Sequence, residues 1–301
     1  MSLEKCEICP IKCKKNRYKE LGYCKTNDKI KIAKAYKHLW EEPILTGKNG
    51  SGTVFFSGCN LNCVYCQNYE LSKNAKGIEI TIDELKNVFL KLQKEKATNI
   101  NLVTPTHFSL QIKEAIIKAK DKGLNIPIVY NTSGYDNAHT LKELEGLIDI
   151  YLTDMKYYDD KYAIKYSKAP NYFNICKKAI SEMYKQVGKP IYKNNVLIKG
   201  IIVRHLILPG LVEDSKKILK YLYDTYKDNI IISIMNQYTP LDNVKEIKEL
   251  NRKITKKEYD EVINYALDIG ITNAYIQEDD TQSESFIPNF DLKEIRDYLN
   301  K

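Results

Sequence analysis

The stretch Cys59-Asn60-Leu61-Asn62-Cys63-Val64-Tyr65-Cys66 follows almost directly on the apolar run Thr53-Val54-Phe55-Phe56. Three thiols spaced C-x3-C-x2-C at a strand end, with no fourth cysteine nearby in sequence, suit three irons of a 4Fe-4S cluster. The remaining iron stays open to a small ligand, so the spacing points to chemistry; a four-cysteine cluster only carries electrons. A zinc knuckle pairs C-x2-C with a second two-ligand knuckle, and the flanks here carry detail such a site does not need. Tyr65 can lay an aromatic face against a bound base, and Gly58 lets the backbone approach a cluster without an intervening side chain.

The pattern C-x3-C-x-aromatic-C at the end of a first strand resembles the radical S-adenosylmethionine superfamily. Residues 53–59 and Cys66-Gln67-Asn68 are similar to the pyruvate formate-lyase activating enzymes. The similarity runs from about Lys5 to Gln277 and is strongest over Glu41 to Glu70 and Asn101 to Thr106. Within that family the chain looks most like an activase-like branch with an N-terminal cysteine motif and no assigned substrate. The resemblance implies Cys59, Cys63 and Cys66 as ligands of a 4Fe-4S cluster that reductively cleaves S-adenosylmethionine. The resulting 5'-deoxyadenosyl radical abstracts hydrogen from a substrate. A glycyl radical enzyme is the substrate it implies, with a different protein, peptide or small molecule as the alternative. An external donor such as a flavodoxin or ferredoxin would supply the electron.

Seven of the eight cysteines fall within the first 66 residues, unlike a secreted disulfide framework. Metal binding in a reducing interior is the better reading. Cys6-x2-Cys9-Pro10-x2-Cys13 with Cys24 makes a complete set of four soft ligands for a second site, zinc or Fe-S, which spacing alone does not separate. No apolar run approaches the roughly 18 residues that cross a bilayer, and Met1-Ser2-Leu3-Glu4-Lys5 has no signal-peptide core, so a cytoplasmic protein without a membrane partner is expected. The net charge of +8 is modest, and Lys and Glu alternate along most helices.

Apolar runs at 53–57, 99–103, 126–130, 149–153, 198–206 and 230–235 alternate with helical periodicity at 82–97, 108–121, 138–147, 160–186, 214–227 and 255–269. Six βα units predict an α/β fold, a parallel sheet curling into a partial (βα)6 barrel, as the resemblance also implies. Residues 1–50 form the cysteine-rich extension and lead-in, 51–280 the barrel and 281–301 a C-terminal tail or helix. Residues 29–36 alternate charged and apolar side chains as a half-buried strand does.

In such folds the chemistry collects at the C-terminal ends of the strands. The resemblance carries cofactor-binding roles to that rim. Asn131-Thr132-Ser133-Gly134 matches the family's Asp-Thr-Asn-Gly, making Asn131 and Ser133 contacts to the ribose and amino-acid part. Lys156, in Thr153-Asp154-Met155-Lys156, and Arg204 are matched to partners of the cofactor carboxylate, and Leu206 to backbone against the adenine. The family's Gly-Gly-Glu, which meets the cofactor ammonium, is absent; Val103-Thr104-Pro105-Thr106 stands there, leaving Thr104 and Thr106 as replacements. Gln237 stands nearest the family's histidine after strand six. His38, His107 and His205 are further candidates for proton transfer. An electron carrier without a substrate is the reading from another class; nucleic acid is not an expected partner, since no such motif occurs.

Overall fold

The structure, a computed structural model, describes residues 2–277 and 290–300. Strand β1 (Ile30–His38) runs antiparallel to β2 (Ser51–Phe56), and β3 (Ile78–Ile80) pairs antiparallel with β1. From β2 the sheet continues in parallel through β4 (Ile100–Val103), β5 (Ile128–Thr132) and β6 (Ile150–Asp154). A short β7 (Ile191–Lys193) makes a hairpin with β8 (Val196–Leu206), and β8, β9 (Ile231–Met235) and β10 (Ala274–Ile276) complete the parallel run. Strands β2 and β5 are buried at every position, because helices cover one face and the barrel interior the other. The ends of the sheet, β10 and β3, are not paired with each other, so the barrel is open.

Two short helices, α1 (Pro43–Thr46) and α2 (Tyr69–Ser72), flank β2. The outer layer then holds α3 (Ile82–Lys94), α4 (Ser109–Asp121), α5 (Ala138–Lys142), α6 (Asp160–Ser167), α7 (Tyr172–Val187), α8 (Val212–Tyr226) and α9 (Lys256–Asp268). In α3 the buried side chains Leu85, Val88, Phe89 and Leu92 recur at helical spacing, and a Thr81/Glu84 capping box closes its first turn. The final α10 (Leu292–Asn300) lies on β1, where Lys34 Nζ meets Glu294 Oε2 at 2.9 Å. The expected tail at 281–301 therefore includes a docked helix, and residues 281–289 lie outside the described residues.

Three expectations change. The helix expected over 160–186 breaks into α6 and α7, with Lys168 and Asn171 left-handed around Pro170, whose ring disfavours a helical residue before it. The helix expected over 138–147 stops at Lys142 and continues as turns. A seventh parallel strand, β10, joins the sheet, and β1, read with the N-terminal extension, is part of the same sheet.

Gly134 sits where β5 meets its loop with φ +77°, and a Cβ there would lie 2.1 Å from the Asp154 carbonyl oxygen and 2.7 Å from Cys176 Sγ. Gly134→Ala should cost about 2 kcal/mol or more, read as a lower urea midpoint at unchanged slope.

Candidate active site

The three cysteines lie on the loop that leaves β2, and separate parts of the chain hold that loop. Gly58 N–H donates to the Leu71 carbonyl at 2.8 Å, Asn62 N–H to Ser167 at 3.0 Å and Val64 N–H to Tyr166 at 2.8 Å. The Asn60 amide donates to the Tyr135 carbonyl at 2.6 Å. Each sulfur also accepts a hydrogen bond: Cys59 from Leu61 N–H at 3.3 Å, Cys63 from Ser167 Oγ at 3.0 Å and Cys66 from Ser72 Oγ at 3.2 Å. Such donors favour thiolate and tune a metal bound to it. Burial pushes the Cys63 thiol up to about 11, with the Lys156 charge opposing, and pushes Cys59 up as well.

Behind Cys63 runs a line of hydroxyls. Ser167 Oγ stands 2.7 Å from Tyr157 Oη, which stands 2.6 Å from Tyr65 Oη. Because the Ser167 proton goes to sulfur, Tyr157 donates to Ser167 and Tyr65 to Tyr157.

A cavity of about 280 Å³ opens beside Cys63 and Cys66, lined among others by Tyr65, Asn131, Lys156, Arg204, Leu206 and Gln237. A second, of about 180 Å³, takes in Cys59, Thr104 and Ser133 and shares Cys63, Cys66, Asn131, Asp154, Lys156 and Arg204 with the first. Asp154, at the end of β6, receives Lys156 Nζ at 2.6 Å on one carboxylate oxygen and Arg204 Nε at 2.9 Å on the other. Arg204 Nη2 reaches on to Asn131 Oδ1 at 2.8 Å. Burial alone would raise Asp154, but the two cations hold it below the usual carboxylate range. Burial alone would lower Lys156, and the charges of Asp154 and Cys63 hold it above its usual value instead. Lys156 and Arg204 thus present two cations at the chamber wall, geometrically suited to a carboxylate on a ligand, with Asp154, Glu42 and Glu41 all acting on Arg204.

Sequence reasoning did not assign Glu41. Its Oε2 accepts from Asn101 Nδ2 at 3.1 Å and Asn131 Nδ2 at 3.4 Å, and it lines the cavity facing Arg204. Burial raises the pKa of Glu41, and it raises that of Glu42 to about 7. Glu41 thus brings a carboxylate into the chamber from the segment ahead of β2. Trp40, 71% exposed, lines the same cavity.

Thr106 departs from its expected role: its hydroxyl donates to Asp136 Oδ1 at 2.7 Å and it is buried away from both cavities. Thr104 lines the smaller cavity with a left-handed φ of 60°. His107 and His205 are also core residues. His107 Nε2 contacts the Ser57 carbonyl at 2.8 Å; His205 contacts Met155 O and Ser215 Oγ, each at 2.8 Å. Burial drops His107 to about 3 and His205 to about 4, keeping both neutral. His38 does line the larger cavity, with Nδ1 2.8 Å from Tyr36 Oη.

Of the N-terminal thiols, Cys6, Cys9 and Cys24 are buried and Cys13 is half-buried. Burial pushes Cys9 up to about 12. Among the described residues, no three His, Cys, Asp or Glu side chains are gathered around the position of a single ion, and this holds for both cysteine sets. No helix among the described residues is long and apolar enough to cross a membrane.

Removing the carboxylate that joins Lys156 to Arg204 breaks both of these buried ion pairs at once. Asp154→Ala should lower stability by about 3–5 kcal/mol, measured by urea unfolding.

A model of the radical SAM superfamily matches residues 53–222, more than half of the chain. An uncharacterized protein of Methanocaldococcus jannaschii is 30% identical over 273 residues, covering 87% of this chain and 74% of the relative. The pyruvate formate-lyase-activating enzyme of Clostridium pasteurianum is 28% identical over 189 residues, 61% of this chain and 70% of that enzyme. Streptococcus suis SuiB, solved bound to the precursor peptide SuiA, superposes with a TM-score of 0.50 at 12% identity, over 74% of this chain and 47% of that one; it shares the fold, and this chain spans about half its length. The cysteine loop, the open parallel sheet and these matches together make the chain a member of the radical SAM superfamily, whose cofactors are a 4Fe-4S cluster and S-adenosylmethionine.

Proposed function

We propose that this chain is an activase-like radical SAM enzyme that abstracts hydrogen from a protein or peptide substrate, with a glycyl radical enzyme as the first candidate. One observation carries the reading. The three cysteines open onto a cavity whose far wall is the Lys156–Asp154–Arg204 group, so metal ligands and an anion site share one chamber. Cys59, Cys63 and Cys66 would hold the cluster; each sulfur already receives one hydrogen bond. When bound, the cluster supplies the electron that splits S-adenosylmethionine into methionine and a 5'-deoxyadenosyl radical.

The chain's own groups would divide the cofactor between them. Lys156 and Arg204 take its carboxylate. Glu41, steadied by Asn101 and Asn131, takes its ammonium and loses its burial penalty on doing so. Tyr65, fixed by its bond to Tyr157, and the Leu206 backbone offer surfaces to the adenine. Ser133, which lines the smaller cavity, would meet the sugar. Buried walls exclude water from a radical that water-accessible side reactions would consume.

The mouth favours a large substrate. Trp40, Gln67 and Thr239 border the larger cavity, and Gln67 Nε2 bonds the Gln237 carbonyl at 3.2 Å, tying the cysteine loop to the loop after β9. An aromatic ring beside amide groups suits a peptide segment laid across the opening. A one-electron donor of the flavodoxin or ferredoxin class would supply the electron, in a reducing, cytoplasmic setting.

Anaerobically reconstituted protein given a strong reductant should release 5'-deoxyadenosine from S-adenosylmethionine, and Cys63→Ala should release none. Product from the variant at the parent rate would sink the reading. Glu41→Gln should weaken cofactor binding roughly tenfold or more, the size of a lost charge-assisted hydrogen bond, in a titration of the cluster's electron paramagnetic resonance signal.

A further inference from the structure

We propose that Cys6, Cys9, Cys13 and Cys24 hold a second, fully thiolate-ligated iron–sulfur cluster that feeds electrons to the first. The destination of the electron rests on the function proposed above; the second site does not.

Cys6, Cys9 and Cys24 are buried and Cys13 is half-buried, and Cys6 and Cys13 pack against the same small apolar cluster with Leu3 and Ile8. The backbone turns tightly after Cys9, with Lys12 N–H bonded to the Cys9 carbonyl at 3.0 Å. Lys12, Lys14 and Lys25, which bracket Cys13 and follow Cys24, are left-handed with φ of 43°, 56° and 64°. Bonds such as Cys6 N–H to Lys15 O and Lys14 N–H to Cys6 O, each 3.0 Å, keep them so.

Arg17 gives an independent indication. Its guanidinium is wholly buried, yet its donors go to uncharged oxygens: the Asn27 and His107 carbonyls and the Thr26 hydroxyl, with no carboxylate partner among the described residues. Thr26 Oγ1, which accepts from Arg17 Nη2 at 3.2 Å, lies 3.1 Å from Cys24 Sγ, so the cation stands beside a thiol of the set. A buried cation needs nearby negative charge, and a metal centre with four thiolates carries it.

Position selects iron and sulfur over zinc. A Cβ on Gly58, the residue before Cys59, would lie 2.4 Å from the Cys24 carbonyl oxygen, so the backbones of the two cysteine sets touch. Arg17 Nη1 bonds the His107 carbonyl at 2.6 Å, and the His107 ring bonds Ser57 at 2.8 Å, which joins the module to the strand end a second time. A staple that only folded the extension would gain nothing from this contact. Exposed Lys12, Lys14, Lys19 and Lys25 give the outer face a charge that suits an acidic one-electron donor. One electron passes from that reduced ferredoxin-class protein to the second cluster and on to the first; the donor is oxidised by one electron and no bond is made or broken.

The test begins with a Cys59→Ala/Cys63→Ala/Cys66→Ala variant, reconstituted anaerobically with iron and sulfide. It should hold about four irons and give a reduced-cluster resonance signal that added S-adenosylmethionine leaves unchanged. Zinc without iron in this variant, or no metal at all, overturns the proposal, whatever the parent does with S-adenosylmethionine. Cys13→Ser, at the half-buried ligand, should slow reduction of the first cluster by reduced ferredoxin at least tenfold while dithionite reduces it at the parent rate. An unchanged rate with ferredoxin overturns the relay.

Discussion

The Asp154 carboxylate, shared between Lys156 and Arg204, is the contact on which the chamber depends. It draws the ends of β6 and β8 together, a junction the Met155 N–H to Arg204 carbonyl bond at 2.8 Å continues along the backbone. Arg204 then fixes Asn131 on β5, and Asn131 faces Glu41 from the segment between β1 and β2. A single anion thereby organises groups from four places in the chain. It also holds both cations at the chamber wall, where a ligand carboxylate can reach them.

Much of the framework was legible because burial on both faces writes an unbroken apolar run for every parallel strand. All six runs became strands, at the expected places. The third residue set that mattered, β10, has only Ala274-Tyr275-Ile276 to announce it, too short for periodicity to speak. Pro170 was visible, yet the apolar spacing on either side of it continued as if one helix ran through.

In the site, position along a strand end was a fair guide to Cys59, Cys63, Cys66, Asn131, Lys156 and Arg204, which share the chamber. It failed for Thr106, His107 and His205, because rim residues alternate between facing the cavity and anchoring the loop, and sequence does not give that phase beyond the strand. Glu41 was out of reach for a different reason. It comes from ahead of the first barrel strand and meets Asn101 and Asn131 only through long-range packing. Arg17 likewise reads as one more basic residue in a lysine-rich segment until its burial is seen.

The broken end of α6 gives the cysteine loop a property of its own. The carbonyls of Tyr166 and Ser167, left without helical partners where the chain turns at Pro170, are the ones that hold Val64 and Asn62. The loop therefore takes part of its shape from a neighbouring helix end, which couples the placement of Asn62 and Val64, between the cysteines, to the way α6 stops.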